Sequence, residues 1–249
     1  MQGIWLSSYR LATIMAASLA MTGLAQAQHT IFFTTESYPP FTYTTADGTY
    51  KGIAIDQIAV IMRDVGHGYG IEMMPWARAI TLAETQPWHC AFATARTPDR
   101  EPRFKWVVPL YVDRSILVRH ASAAIKTATL DEAKRFTVGT HRGDYTEQVL
   151  KQLGFETIDL SADVDTTLRK LLGERIDLMP MSESVFNKLK ADGTPIADVM
   201  VLSEQELGIA CNLGLPDDVI HRLRKNLRAM IDDGTQAAIE RRYGINRLP

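Results

Sequence analysis

Short apolar runs alternate with amphipathic helical stretches along most of the chain. Residues 30–35, 71–74 and 90–94 read as strands, rich in apolar and β-branched side chains and flanked by turn formers. Behind Asp56, which reads as an N-cap, Ile58, Ile61, Met62 and Val65 share one helical face. Tyr38-Pro39-Pro40-Phe41 is expected to be a loop, because consecutive prolines break both regular structures. Asp47-Gly48 reads as a turn, and Gly66-His67-Gly68-Tyr69-Gly70 as a flexible connection after a helix. A loop rich in proline and charge runs from Thr97 to Arg103, and residues 116–118 form a short strand.

A second series then begins. Strands are expected at 136–139, 157–160 and 176–179. Helices are expected at 145–153, along the stripe Val164, Leu168, Leu171 and Leu172, and at 183–190. Residues 207–211 read as a strand. Val219, Leu223, Leu227 and Met230 mark a long helix, and 236–243 adds another. This alternation predicts an α/β protein. No low-complexity tether separates the two series, which predicts two lobes joined by short hinges.

The N-terminus has a different pattern. Arg10 is the only charged side chain before an apolar and small-residue run at 11–24, too short to span a bilayer comfortably. Ala25-Gln26-Ala27 follows, the small-x-small pattern of a cleavage site. Residues 1–27 are therefore expected to be a removed signal peptide, with Gln28 the mature N-terminus. No cysteine lies nearby to carry a lipid, so a periplasmic, unlipidated protein is expected.

Composition narrows the functions. The 249 residues carry a formal net charge of −2 and no basic stripe, which argues against a nucleic-acid partner. Hydrophobic residues make up 46%, enough for a sizeable core. The histidines show no metal-ligand spacing and there is no G-x-S-x-G elbow, so neither metal nor cofactor is expected. Cys90 and Cys211 are either a disulfide or two buried thiols; spacing alone leaves both open.

Short motifs occur along the chain: Tyr38-Pro39-Pro40-Phe41, Asp47-Gly48 with Gly52-Ile53-Ala54-Ile55-Asp56, and Thr97-Pro98-Asp99-Arg100 with Phe104-Lys105-Trp106 and Pro109-Leu110. Val138-Gly139 with Gly143, Gly173-Glu174-Arg175-Ile176-Asp177, and Asp233-Gly234 with Tyr243-Gly244 complete the set. In this order they resemble the family 3 solute-binding proteins, the polar-amino-acid group of ABC importers. The resemblance implies a bilobal type II periplasmic-binding fold. Lobe 1 would hold residues 28–111 and 206–249, lobe 2 residues 114–203, with hinges near 112–113 and 204–205. It further implies a monomer that captures a small polar, carboxylate-bearing solute for an ABC permease in the inner membrane. Two alternatives share the fold: a periplasmic enzyme similar to cyclohexadienyl dehydratases, and a soluble ligand sensor.

The resemblance also implies a site. Arg100 would grip the ligand carboxylate, since a planar guanidinium can hold it bidentately. Arg96 would either line the cleft as a second cation or pair with Asp99 or Glu101 at the surface. Ala95 stands where the family often has a supporting hydroxyl, and neighbouring Thr94 should point away on an extended strand. Tyr38 and Trp76 are the aromatics that would contact the ligand, and Gly143 belongs to the second-lobe glycine loop. Where many relatives have an aspartate for the ligand ammonium, this chain has Ser182. Glu183 or Asp144 would have to supply that charge, or both acids simply sit at helix N-termini, where acids are favoured anyway.

Overall fold

The computed structural model describes residues 29–125, 127 and 129–245. The expected signal peptide, residues 1–27, lies outside the described residues. The chain runs β1 (Ile31–Thr35), β2 (Tyr43–Thr44), β3 (Tyr50–Lys51), α1 (Ile53–Ile61), β4 (Tyr69–Met73), α2 (Trp76–Thr85), β5 (His89–Ala95) and β6 (Lys105–His120). It continues through α3 (Leu130–Ala133), β7 (Val138–His141), α4 (Tyr145–Leu153), β8 (Ile158–Ser161), α5 (Val164–Leu172) and β9 (Met179–Ser182). Last come α6 (Glu183–Ala191), β10 (Ile196–Cys211), α7 (Asp217–Asp232) and α8 (Thr235–Arg242).

The main sheet has the order β4-β1-β5-β10-β6-β9, with β7 and β8 paired separately. Strand β1 is parallel to β4 and β5, whereas β10 runs antiparallel to β5 and β6. β6 and β10 are 16 residues each. At about 3.3 Å per residue each spans about 50 Å, and they pair from Lys105↔Cys211 to His120↔Ile196. The sequence predicts only their ends, at 116–118 and 207–211. Their middle runs through Val112, Asp113 and Arg114 on one strand and Ser203 to Glu206 on the other, where no residue is buried and the apolar pattern fades.

Separate cores lie towards the two ends of this ribbon. One packs Ile31, Phe33, Ile58 and Cys90 against Ile209, Leu223 and Met230, with Trp76, Ala79, Phe104 and Trp106 in a neighbouring cluster. Further along, Ile116 and Val118 meet Leu171, Met181 and Phe186, while Leu117 joins Val138, Leu150 and Leu178. That split follows from strand alternation, which sends successive side chains to opposite faces.

Local structure departs from expectation in four places. Helix α1 is capped by Gly52, not Asp56. Gly52 has φ 130°, and a Cβ there would stand 2.2 Å from the Phe41 carbonyl oxygen, so only glycine fits. Asp56 instead accepts a hydrogen bond from Tyr243 Oη at 3.0 Å, tying α1 to the C-terminal helices. Helix α2 stands between the strands at 71–74 and 90–94, with Trp76, Ala79, Ile80 and Ala83 at helical spacing and all buried. β4 begins inside the glycine-rich connection, at Tyr69. Strand β9 starts at Met179, not 176, because Asp177 N and Leu178 N both donate to the carbonyl of Thr137, just ahead of β7.

Cys90 and Cys211 are register partners on β5 and β10 and form a buried disulfide. Of the two arrangements open from sequence, the bridge is the one formed.

Candidate functional site

The ends of the parallel strands face each other across the middle of β6 and β10. There they enclose a cavity of about 70 Å³. Glu36 and Tyr38 follow β1, Trp76 opens α2, and Ala93 and Ala95 end β5. His141, Asp144, Tyr145 and Ser182 come from the far side, and Asp113, Arg114, Ser115 and Gln205 lie on the crossing strands. A wider groove of about 1000 Å³ shares Arg100, Asp144, Tyr145 and Gln205 with it. The cavity is below the ~300–1,000 Å³ usual for small-molecule sites, because its walls are drawn together by direct hydrogen bonds.

Arg100 is turned inward by the Thr97 turn, whose carbonyl accepts from Arg100 N at 3.0 Å. Only 6% of the residue is exposed. Its guanidinium donates to the carbonyls of Ala95, at 3.2 Å, and Gly143, at 2.7 Å, and stands 5.7 Å from the Trp76 ring centroid. Both partners are neutral oxygens. Burial accordingly pushes the guanidinium pKa down, and nearby Asp144 pulls part of the way back. Trp76 Nε1 donates to the same Gly143 carbonyl at 2.8 Å. Gly143 itself has φ +77°, and a Cβ there would lie 3.2 Å from Ala77 Cα, so this close approach suits glycine. Tyr38 Oη accepts from Ser182 N at 2.9 Å.

The remaining candidates are distributed as follows. Arg96 lies outside the cavity: its guanidinium forks onto Glu101 at 2.6 and 2.7 Å and reaches Glu206 at 3.1 Å. It pairs with Glu101 as one of its two readings has it, and it also lines the wider groove beside Arg100. Glu183 also lies outside, held by Arg114 through two 2.6 Å bonds. Ser182 caps α6, and its hydroxyl donates to the Asp113 carboxylate. Asp144 caps α4, accepting from Thr146 N at 2.9 Å, while also lining the cavity. Ala95 contributes its carbonyl rather than a hydroxyl, and Thr94 is buried away from the cavity.

The family model for bacterial extracellular solute-binding proteins, family 3, matches residues 31–246. The chain belongs to this family. Among solved structures, the arginine-, lysine-, histidine-binding protein ArtJ from Geobacillus stearothermophilus superposes with a TM-score of 0.79 at 15% identity, covering 88% of this chain and 97% of its own. An amino acid ABC transporter substrate-binding protein from Streptococcus pneumoniae, bound to L-arginine, gives 0.76 at 20% identity, covering 88% and 95%. An ancestral amino acid-binding protein, a precursor of cyclohexadienyl dehydratase, gives 0.74 at 20% identity, covering 86% and 94%. No curated protein matches. At these identities the likeness is one of fold, and it is the type II periplasmic-binding fold that the motifs implied.

This family 3 protein also carries site residues that sequence reasoning missed: Glu36, Asp113, His141 and Tyr145. No motif marks them. Their only signal is placement after strand ends, where ligands of open α/β sheets bind, and on the crossing strands. Glu36 and His141 form a pair, with Nε2 3.2 Å from Oε1, joining the end of β1 to the end of β7. Burial alone would lower the imidazole pKa, but Glu36, Asp144 and Asp163 outweigh it and push it up to about 9. A histidine whose folded pKa is raised contributes stability that is full below its ordinary value of 6.5 and lost as pH rises through about 9. The tie between the two sides should therefore weaken over that window. Proton NMR of the His141 ring is expected to show a titration midpoint near 9; a midpoint at or below 6.5 would contradict it.

Proposed function

We propose that this protein is a periplasmic solute-binding protein that captures an amino acid, or a closely related small carboxylate, between two lobes and delivers it to an ABC permease. In this reading residues 28–111 and 206–249 form lobe 1 and residues 114–203 form lobe 2, moving about hinges near 112–113 and 204–205. The weakly covered middle of β6 supports that division: Val112 is 52% exposed between the buried stretches Leu110–Tyr111 and Ser115–Val118. Hinge closure around a ligand is the usual behaviour of such an arrangement.

One observation carries the proposal. Arg100 is a buried cation, on a cavity wall, whose protein partners are carbonyl oxygens. An arginine held this way has its charge available for a carboxylate, the group that a guanidinium recognises best. Structural relatives described as binding arginine, lysine and histidine, or solved with L-arginine, support amino acids as the solute class. In the proposed role the protein acts as a monomer and performs no chemistry.

A thermal-shift screen of the standard L-amino acids, small carboxylic acids and polyamines tests this. A ligand present at 100 times its Kd stabilises by about 2.7 kcal/mol, so at least one amino acid should raise the melting temperature by several degrees. If polyamines alone shift it, the carboxylate reading fails. The Glu36–His141 pair in the same cavity gives the enzymatic alternative a specific basis, since both groups titrate. Aromatic product from prephenate or arogenate would decide for the enzyme.

A further inference from the structure

We propose that this protein carries a second binding site, apart from the Arg100 cavity, for a small oxoanion that bears an apolar tail. The site is a groove of about 300 Å³ between the edge of the main sheet and helix α7.

Strand pairing creates the groove. β9 joins β6 only from Ser115 to Val118, so around Trp106 β6 is the outer strand of the sheet. An outer strand presents unpaired backbone groups that have to be covered. Helix α7 covers them here, and Arg224 Nε donates to the Trp106 carbonyl at 2.8 Å. Arg224, Leu227, Arg228 and Ile231 follow the i, i+3, i+4, i+7 spacing of one helical face, and all line the groove. Val108 and Pro109 of β6 complete its apolar lining.

The cations of α7 lack counter-charges. Arg228 is exposed and, among the described residues, makes neither a hydrogen bond nor an ion pair, although Asp232 lies one turn along the helix. Arg224 bonds the neutral Trp106 carbonyl, and Asp217, whose carboxylate feels the Arg224 charge, is held by Lys105 at 2.5 Å. Arg96 also lines the groove, but Glu101 and Glu206 already occupy its guanidinium. Trp106, on the same wall, is 4% exposed, and its indole N–H is buried without an acceptor among the described residues. Guanidinium groups take phosphate or carboxylate oxygens in pairs. A wholly hydrophilic anion would leave the apolar lining uncovered, and an uncharged apolar molecule would leave the arginines unmatched. An oxygen-rich anionic head on a short apolar body satisfies both.

Hexyl phosphate is the probe, with inorganic phosphate lacking its tail and hexan-1-ol its charge. Titration calorimetry at low ionic strength is run in the Arg100→Ala background, which takes the carboxylate anchor of the cavity out of the measurement. Hexyl phosphate should bind about tenfold tighter than either control. Arg224→Gln with Arg228→Gln should cost about tenfold, the loss of two charge-assisted partners on the solvent side. Added salt should weaken binding to the parent far more than to the double variant. Should the double variant fail to fold, Arg228→Gln alone, which breaks no contact within the protein, should still lose affinity. Vesicles separate two sources of such a head. Phosphatidylglycerol vesicles that retain the parent but not the double variant assign it to a lipid, whereas hexyl phosphate binding without vesicle retention assigns it to a soluble organic anion. No binding of hexyl phosphate, binding no tighter than that of inorganic phosphate, or unchanged affinity in a folded Arg228→Gln overturns the site.

Discussion

Arg100→Ala is expected to reduce affinity for the amino acid found by the thermal screen by roughly 30-fold to several thousand-fold, while leaving the unliganded protein as stable as wild type or more so. The first half follows from removing one partner of a desolvated charge pair, which typically costs about 2–5 kcal/mol, at about 1.4 kcal/mol per tenfold. The second half is particular to this structure. Without ligand, the guanidinium is buried against neutral oxygens, and burial disfavours its charged form. Removing it relieves that cost. The Gly143 carbonyl keeps the indole donor of Trp76, so the local contact between the two sides survives. Arg100→Lys should recover only part of the affinity, because a point charge cannot reproduce the fork. Titration calorimetry and thermal melts of the three proteins check both halves together. Near-native affinity in a folded Arg100→Ala would sink the carboxylate-anchor assignment.

The second large effect concerns stability. Reducing the Cys90–Cys211 bridge should destabilise the protein by up to about 5 kcal/mol, the chain-entropy value for a loop of this length, with a sequence separation of 121. The bridge staples β5 to β10 inside the core that also holds Phe33 and Ile209. It therefore joins the first series to the last strand of the second. Both sulfurs are fully buried, so reduction should require partial unfolding. Denaturant melts with and without reductant give the measurement. Identical midpoints, or two reactive thiols in denaturant without reductant, would contradict it.

Much of the architecture was legible before any coordinates. Helices α4, α5 and α6 and the stripe of α7 announce themselves by period, because each has one face in a core and one in solvent, whereas β1 and β5, buried on both faces of the sheet, show as short apolar runs. The family could be read from short motifs for a related reason. Gly52 and Gly143 sit where a side chain would collide with neighbouring backbone, and the Thr97 turn aims Arg100 inward, so the local requirement is written in residue type.

What the sequence withheld depends on which segments meet in space. The ribbon of β6 and β10 escaped the pattern because its middle is covered by no core, and a strand without a buried face has no hydrophobic alternation to reveal it. The state of the two cysteines was decided by register: only the pairing of β5 with β10 brings Cys90 opposite Cys211. Charge partners were decided in the same way. Arg96 takes one partner, Glu101, from its own loop and the other, Glu206, from β10 far along the chain. The Ser182 hydroxyl finds its partner in Asp113, 69 residues away along the chain. Periodicity along a chain records whether a face is buried. Which charge neutralises which is a property of contacts between distant segments, and only the tertiary structure fixes those.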